Sequence, residues 1–116
     1  MSNPSLLSRT EELLLLTVWR LRDDAYSLTI QESMSDLLGR PVSIGAVYVP
    51  LERMARKGLL QTREGQPTEK RGGRRKRFYE LSALGREALS EIEAVQRKAW
   101  AGWPSLAAGP SDAATG

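Results

Sequence analysis

Ten of the chain's seventeen Lys and Arg residues fall between positions 53 and 77: Arg53, Arg56, Lys57, Arg63, Lys70, Arg71, Arg74, Arg75, Lys76 and Arg77. Only two acids, Glu64 and Glu69, lie among them. That segment carries +8 and the remainder −5, within a formal total of only +3. Such asymmetry points to a polyanion that meets one face of the molecule. The plainer alternative is a basic loop that is merely solvated. Other chemistry is scarce. With no cysteine, disulfides and thiolate metal sites are excluded, and with no histidine the commonest general base and metal ligand is missing. The remaining carboxylates and lysines do not cluster for acid–base work. No catalytic residue, metal or cofactor is therefore expected, and the chemistry is that of binding.

The element before the basic run presents it. Ser43 is a good N-cap, Ile44, Val47, Leu51 and Met54 recur at helical spacing, and Gly58 stands where a left-handed residue would end the helix. The opposite face would hold Gly45, Val49, Glu52 and Arg56, with Tyr48 and Arg53 on its flanks. A helix that enters a DNA groove needs small residues for close backbone approach, and hydroxyls and guanidinium groups for phosphates and bases. Gly45 and Ala46 meet the first need, Tyr48 and Arg53 the second; a half-buried core role is the alternative for Tyr48. Pro50 interrupts the helix, since it removes one backbone hydrogen bond. Beyond Gly58 an apolar–polar alternation, Leu59 to Arg63, leads into a Gly/Pro-rich loop from Glu64 to Arg74. A second alternation, Arg75 to Leu81, returns with Tyr79 and Leu81 inward and Lys76, Phe78 and Glu80 outward. This is a two-stranded ribbon with a cationic tip. Arginines there suit a phosphate backbone or a minor groove.

The 116 residues suffice for one small domain. No apolar run reaches the roughly 18 residues of a membrane helix, no signal pattern opens the chain, and a cytoplasmic protein is expected. Residues 1–7 read as a flexible arm. Ser8 and Glu11 fit a capping box that opens a first helix to about Arg22. Its leucines cover more than one face, so a partner subunit is expected on the surplus side, to which Trp19 belongs. Ala25 to Leu28 reads as extended. Thr29 with Glu32 offers a second capping box, for a helix over Ile30 to Leu38 whose apolar face is Ile30, Met34, Leu37 and Leu38, closed by Gly39 and Pro41. Two short helices with a tight turn between them have the layout of a helix-turn-helix.

Ser82 caps a last helix over about Ala83 to Gly102. Leu84, Ala88, Ile92, Val95, Ala99 and Trp103 form one stripe along it, longer than so small a body can cover. A second copy of the chain is the expected cover; folding back on its own domain is the alternative. Past Trp103 the composition predicts a disordered tail, 104–116. The expected fold class is thus mainly α with a small β-ribbon: a winged helix-turn-helix over 8–81, with a dimerisation helix over 82–103.

Two stretches carry a family resemblance. Val42-Ser43-Ile44-Gly45-Ala46-Val47-Tyr48, Leu51-Glu52-Arg53-Met54 and Lys57-Gly58-Leu59-Leu60 resemble the recognition-helix signature of PadR-type transcriptional regulators. The run from Gly72 through Arg77, Phe78-Tyr79-Glu80-Leu81 and Ser82-Ala83-Leu84-Gly85-Arg86 is similar to that family's wing, second strand and start of the last helix. The resemblance spans about residues 8–100. It implies a winged helix dimerised by packing of the C-terminal helix on the partner's first helix, and a two-fold symmetric operator, usually under repression. Tyr48 matches the family's recognition-helix tyrosine, and Gly72 to Arg77 its wing. Val49 departs by separating Tyr48 from Pro50, Ser27 stands where many members have glycine, and Ser82 replaces a common threonine.

The expected DNA contacts are Thr29, Ser43, Gly45, Tyr48, Val49, Arg53, Arg71, Arg74, Arg75, Lys76 and Arg77. Leu14, Val18, Leu84, Ala88, Ile92, Val95, Ala99 and Trp103 are the expected dimer interface. Because some members bind apolar or aromatic compounds between subunits, Trp19, Trp100 and Trp103 are candidates to line a pocket for a small effector; simple interface packing is the alternative. The expected partners are double-stranded DNA and a second copy of the chain. A protein-interaction module and an RNA-binding protein are the competing readings.

Overall fold

The structure is a computed structural model that describes residues 7–67, 75–103 and 105–108. Residues 1–6 of the expected 1–7 arm, the wing tip with Arg71 and Arg74, and most of the expected tail lie outside the described residues; Leu7 packs against the core.

Helix α1, Arg9–Leu21, begins at the expected capping box: the Ser8 hydroxyl accepts from the Glu11 amide at 3.1 Å, and Glu11 accepts from the Ser8 amide at 2.9 Å. Leu14, Leu15 and Val18 are buried in the core, while Leu16 is exposed. A short 3-10 turn, Arg22–Asp24, leads to α2, Ser27–Leu38. This helix starts three residues before the expected position. Thr29 sits inside its first turn, where its hydroxyl accepts from the Tyr26 amide (3.0 Å) and contacts the carbonyls of Asp24 and Tyr26. Ala25 and Tyr26 are extended because they meet the second strand: Tyr26 bridges Phe78, and the Tyr79 amide donates to the Ala25 carbonyl at 2.8 Å. On α2, Ile30 and Met34 are buried, whereas Leu37 and Leu38 reach solvent.

Gly39, at φ +69°, ends α2 in the left-handed region. The turn to α3 is held from both sides. Gln31 donates to the Val42 carbonyl at 2.8 Å, and the Ser35 hydroxyl accepts from the Val42 amide at 3.1 Å. Helix α3, Ile44–Arg56, is capped by Ser43, whose hydroxyl accepts from the Ala46 amide at 3.1 Å. Val47, Pro50, Leu51 and Met54 are buried. Pro50 thus faces the core with the aliphatic side chains, its ring serving as apolar packing, at the cost of the helix hydrogen bond that the Ala46 carbonyl would otherwise accept. Ile44, expected on that face, is exposed: as the first residue of α3 it projects past the edge of the core. Gly58 (φ +83°) closes the helix in a double hydrogen-bonded turn, with its amide on the Ala55 carbonyl and the Leu59 amide on that of Met54.

Strand β1, Leu60–Pro67, pairs antiparallel with β2, Arg75–Leu81, from Leu60↔Leu81 to Glu64↔Arg77, with an irregularity before Pro67↔Arg75. The ribbon is longer than expected: Glu64 to Pro67, read as loop, continue β1. A Cβ on Gly65 would lie 2.6 Å from the Phe78 ring, so glycine lets that ring lie flat on the ribbon. Pro67 falls at the irregularity, where proline is tolerated. Tyr79 and Leu81 are buried as expected, but Phe78 is only partly exposed, because it packs edge-on against Tyr26 at 5.4 Å.

The last helix, α4, covers Ala83–Trp100 and stops before the expected Gly102. Ser82 joins it to the body: its hydroxyl accepts from the Gly85 amide (3.0 Å) and donates to the Gly58 carbonyl (2.6 Å), and its amide donates to the Leu59 carbonyl (3.1 Å). Gly85 and Ala88 lie against the body, and Ile92 is the last buried residue of α4. From Glu93 to Trp100 every residue is exposed.

Candidate nucleic-acid interface

The solvent face of α3 carries Gly45, Ala46, Tyr48, Val49, Arg53 and Arg56, all exposed. Tyr48 and Val49 retain 45% and 57% of their surface, against complete burial of Val47 and Leu51 on the other side of the helix. The fold does not require glycine at position 45, since an added Cβ would meet nothing within 4 Å. A helix-interior glycine costs about 0.8–1 kcal/mol relative to alanine. The glycine leaves the start of α3 open to close approach. Ser43 is exposed beside it, with its hydroxyl used in the cap.

A salt-bridged clamp joins this helix to the wing. Arg77 of β2 donates to both Glu52 oxygens (2.8 and 3.1 Å), and the Tyr79 hydroxyl donates to the same carboxylate at 2.5 Å. Burial pushes the Glu52 carboxyl up, but the hydrogen bonds from Arg77 and Tyr79 and the charges of Arg77 and Arg56 outweigh it and hold the group below its ordinary value. Burial and the same carboxylate push the Tyr79 hydroxyl up, so it stays protonated as a donor. Arg77, expected to meet phosphate, ties the wing to α3. Two of its five N–H donors are used there, and the side chain remains 42% exposed.

Arg53 is exposed on α3 and lies 3.7 Å from the largely buried Glu11 of α1. Thr29 does not project toward the α3 face as a free hydroxyl. Its hydrogen bonds all close the start of α2, where the side chain is partly exposed. The Lys76 ammonium stacks on Tyr26 at 4.3 Å, the Arg63 guanidinium stacks on Phe78 at 4.4 Å, and Arg63 also donates to the Asp23 carbonyl. Sequence patterning does not anticipate this cation–aromatic ladder on the outer ribbon face. Its only signal is the aromatic pair Tyr26 and Phe78, 52 positions apart in the chain. Arg75 pairs through its backbone with Pro67.

A second feature lies between α1 and α4. A groove of about 650 Å3 is lined by Leu13, Leu16, Trp19, Leu89, Ile92 and Trp100, with Arg9, Glu12, Arg86 and Glu93 at its rim. It brings Trp19 and Trp100 together and leaves out Trp103, which follows the end of α4 and is 74% exposed. Trp19 carries two guanidinium groups over its ring, Arg22 at 4.3 Å and Arg86 at 5.0 Å. The expected dimer stripe divides in two. Leu14, Val18 and Ala88 are enclosed by their own chain, which takes them out of a subunit contact, whereas Ile92 keeps 9% of its surface and lines the groove. Leu84, Val95, Ala99 and Trp103 are exposed. Among the described residues no cluster could hold a metal ion, and no helix is long and apolar enough to cross a membrane.

Residues 15–91 match the transcriptional regulator PadR-like family. No curated protein matches the sequence. Among solved structures, the chain is similar to a PadR-like transcription factor from Bacteroides fragilis, at 24% identity and a TM-score of 0.65, covering 76% of this chain and 80% of that one. It is also similar to RosR of H. salinarum (20% identity, TM-score 0.70, 88% and 84% covered). A PadR family transcription regulator from Clostridium difficile aligns at 23% identity and a TM-score of 0.56, with 76% and 86% covered. At these identities the likeness establishes the winged-helix fold.

Proposed function

We propose that this chain, which belongs to the PadR-like family of transcriptional regulators, is a homodimeric repressor that occupies a two-fold symmetric promoter site. The family is one of DNA-binding regulators and not of enzymes. The observation that carries the reading is the outward face of α3: a glycine with open space above it, flanked by Tyr48 and Val49 and tied through Glu52 to a cationic strand. A reading helix locked to its wing meets a duplex as one rigid surface, so little ordering has to be done on binding.

Two copies would be joined through α4, whose residues 93–100 are all exposed and have no cover among the described residues. Val95 and Ala99 continue the stripe that Ala88 and Ile92 begin, and the α1–α4 groove is the apolar seat for the partner's helix. On this reading residues 8–81 read DNA and 82–103 pair the subunits, in the cytoplasm where the promoter lies. A small apolar or aromatic effector would enter beside Trp19 and Trp100 and relieve repression by altering the spacing of the two reading helices.

The test is selection of duplexes from a random library, followed by binding at several salt concentrations. A preferred sequence should survive competitor DNA. Replacing Arg74 and Arg75 together by alanine should weaken binding to every duplex and flatten the salt dependence by about 0.9 in log–log slope for each phosphate that is no longer neutralised. An unchanged slope would remove the wing from the mechanism, and loss of all binding to competitor would favour a generic polyanion or an acidic protein as the partner.

A further inference from the structure

The first nine residues of α3, Ile44 to Glu52, contain no Arg, Lys, Asn or Gln. Those are the side chains that pair bidentately with guanine and adenine edges in the major groove. The one charged group in this stretch, Glu52, would suit a cytosine amino group, but both its oxygens are held by Arg77 and Tyr79. The first cation along the helix, Arg53, lies nine residues and about 13 Å beyond Ile44, beside the Glu11 carboxylate. What α3 does present is apolar. Val49 projects from the centre of the outward face, one turn below Gly45, with the Tyr48 ring beside it and Ile44, 48% exposed, at the leading end. Val47, Pro50, Leu51 and Met54 fill the core side, and Ile44, Tyr48 and Val49 keep about half of their surface open to solvent. Base edges in the major groove offer one apolar feature, the C5-methyl group of thymine.

We propose that α3 reads its operator through thymine methyl groups, with Val49 and the Tyr48 ring packed on them, Ile44 at the leading edge, and Gly45 and Ala46 allowing the backbone to close. This rests on the DNA-binding reading above and specifies what that surface recognises. The wing supplies charge and little sequence information, and α3 supplies sequence through shape and apolar contact.

Deoxyuridine differs from thymidine at this edge only by the missing methyl, so it isolates the contact. In the duplex selected by the wild-type protein, each thymine is replaced singly by uracil and the affinity measured at fixed salt. At one or two positions in each half-site the expected loss is about fourfold per methyl, the ~0.8 kcal/mol of one buried methyl-sized group. Symmetric replacement in both half-sites should exceed tenfold. Val49→Ala should bind more weakly and erase the difference between thymine and uracil at its own position, while other positions keep theirs. If replacement of every thymine leaves the wild-type affinity within twofold, the inference is overturned while the DNA-binding reading stands. A protein that selects no duplex from the library would overturn both.

Discussion

A Val95→Asp variant is expected to fold as the wild type does, to sediment as a monomer, and to lose roughly 100-fold or more in affinity for a site with two half-sites, the scale of gain that linking two binding modules provides. The side chain is 56% exposed within one chain and lies beyond Ile92, where α4 has left its own body. A carboxylate there disturbs nothing in the folded protomer. Between two subunits it would be buried without a partner, which costs several kcal/mol. Binding to a single half-site should change little, since α3 and the wing are untouched. Equilibrium sedimentation and anisotropy with one-half and two-half duplexes separate these outcomes, and a variant that remains dimeric would show that another surface pairs the subunits.

The second large effect is internal. Gly85→Val should destabilise the whole domain by about 3 kcal/mol or more, at the upper end of what overpacking costs, and lower Tm by more than 10 °C on the scale of 4–8 °C per kcal/mol for a domain of this size. An added Cβ at Gly85 would collide with the Leu59 carbonyl oxygen, far inside van der Waals contact. That atom is fixed backbone, held in turn by the Ser82 amide at 3.1 Å, so it cannot give way as a flexible side chain would. The first turn of α4 would have to lift from the α3–β1 junction and break the Ser82 bonds to Gly58 and Leu59. Thermal unfolding followed by circular dichroism reads the shift directly. A Tm within 2 °C of wild type would mean that α4 does not seat on the body in this way.

Local signals were legible in the sequence because their physics is local. Ser8, Ser43 and Ser82 cap helices with groups three residues away, and Gly39 and Gly58 stop them with a conformation that costs other residues more. Where the structure differs, the deciding partner lies far along the chain. Thr29 and Glu32 have the spacing of a capping box, yet α2 starts earlier because Tyr26 is held extended by Phe78, and Thr29 serves that earlier start. Gly65 and Pro67 read as loop, although against the Phe78 ring and at an irregular pair they continue a strand. Helical periodicity placed Ile44 with the core but says nothing of where the core ends. Leu14 and Val18 looked surplus to one domain, and α2, α3 and α4 together enclose them. The clamp of Glu52 with Arg77 and Tyr79 joins residues 25 and 27 positions apart, and no spacing rule reports such a pair.

Whether the outward face of α3 touches DNA is tested most directly by Gly45→Gln. Nothing within the chain lies within 4 Å of the new Cβ, and glutamine is a better helix former than glycine, so Tm should hold or rise. The longer side chain would stand where the duplex must approach, and affinity for the selected operator should fall by at least tenfold. A variant as stable as wild type that binds the operator with undiminished affinity would contradict the account, because the outward face of α3 would then not be the surface that reads DNA.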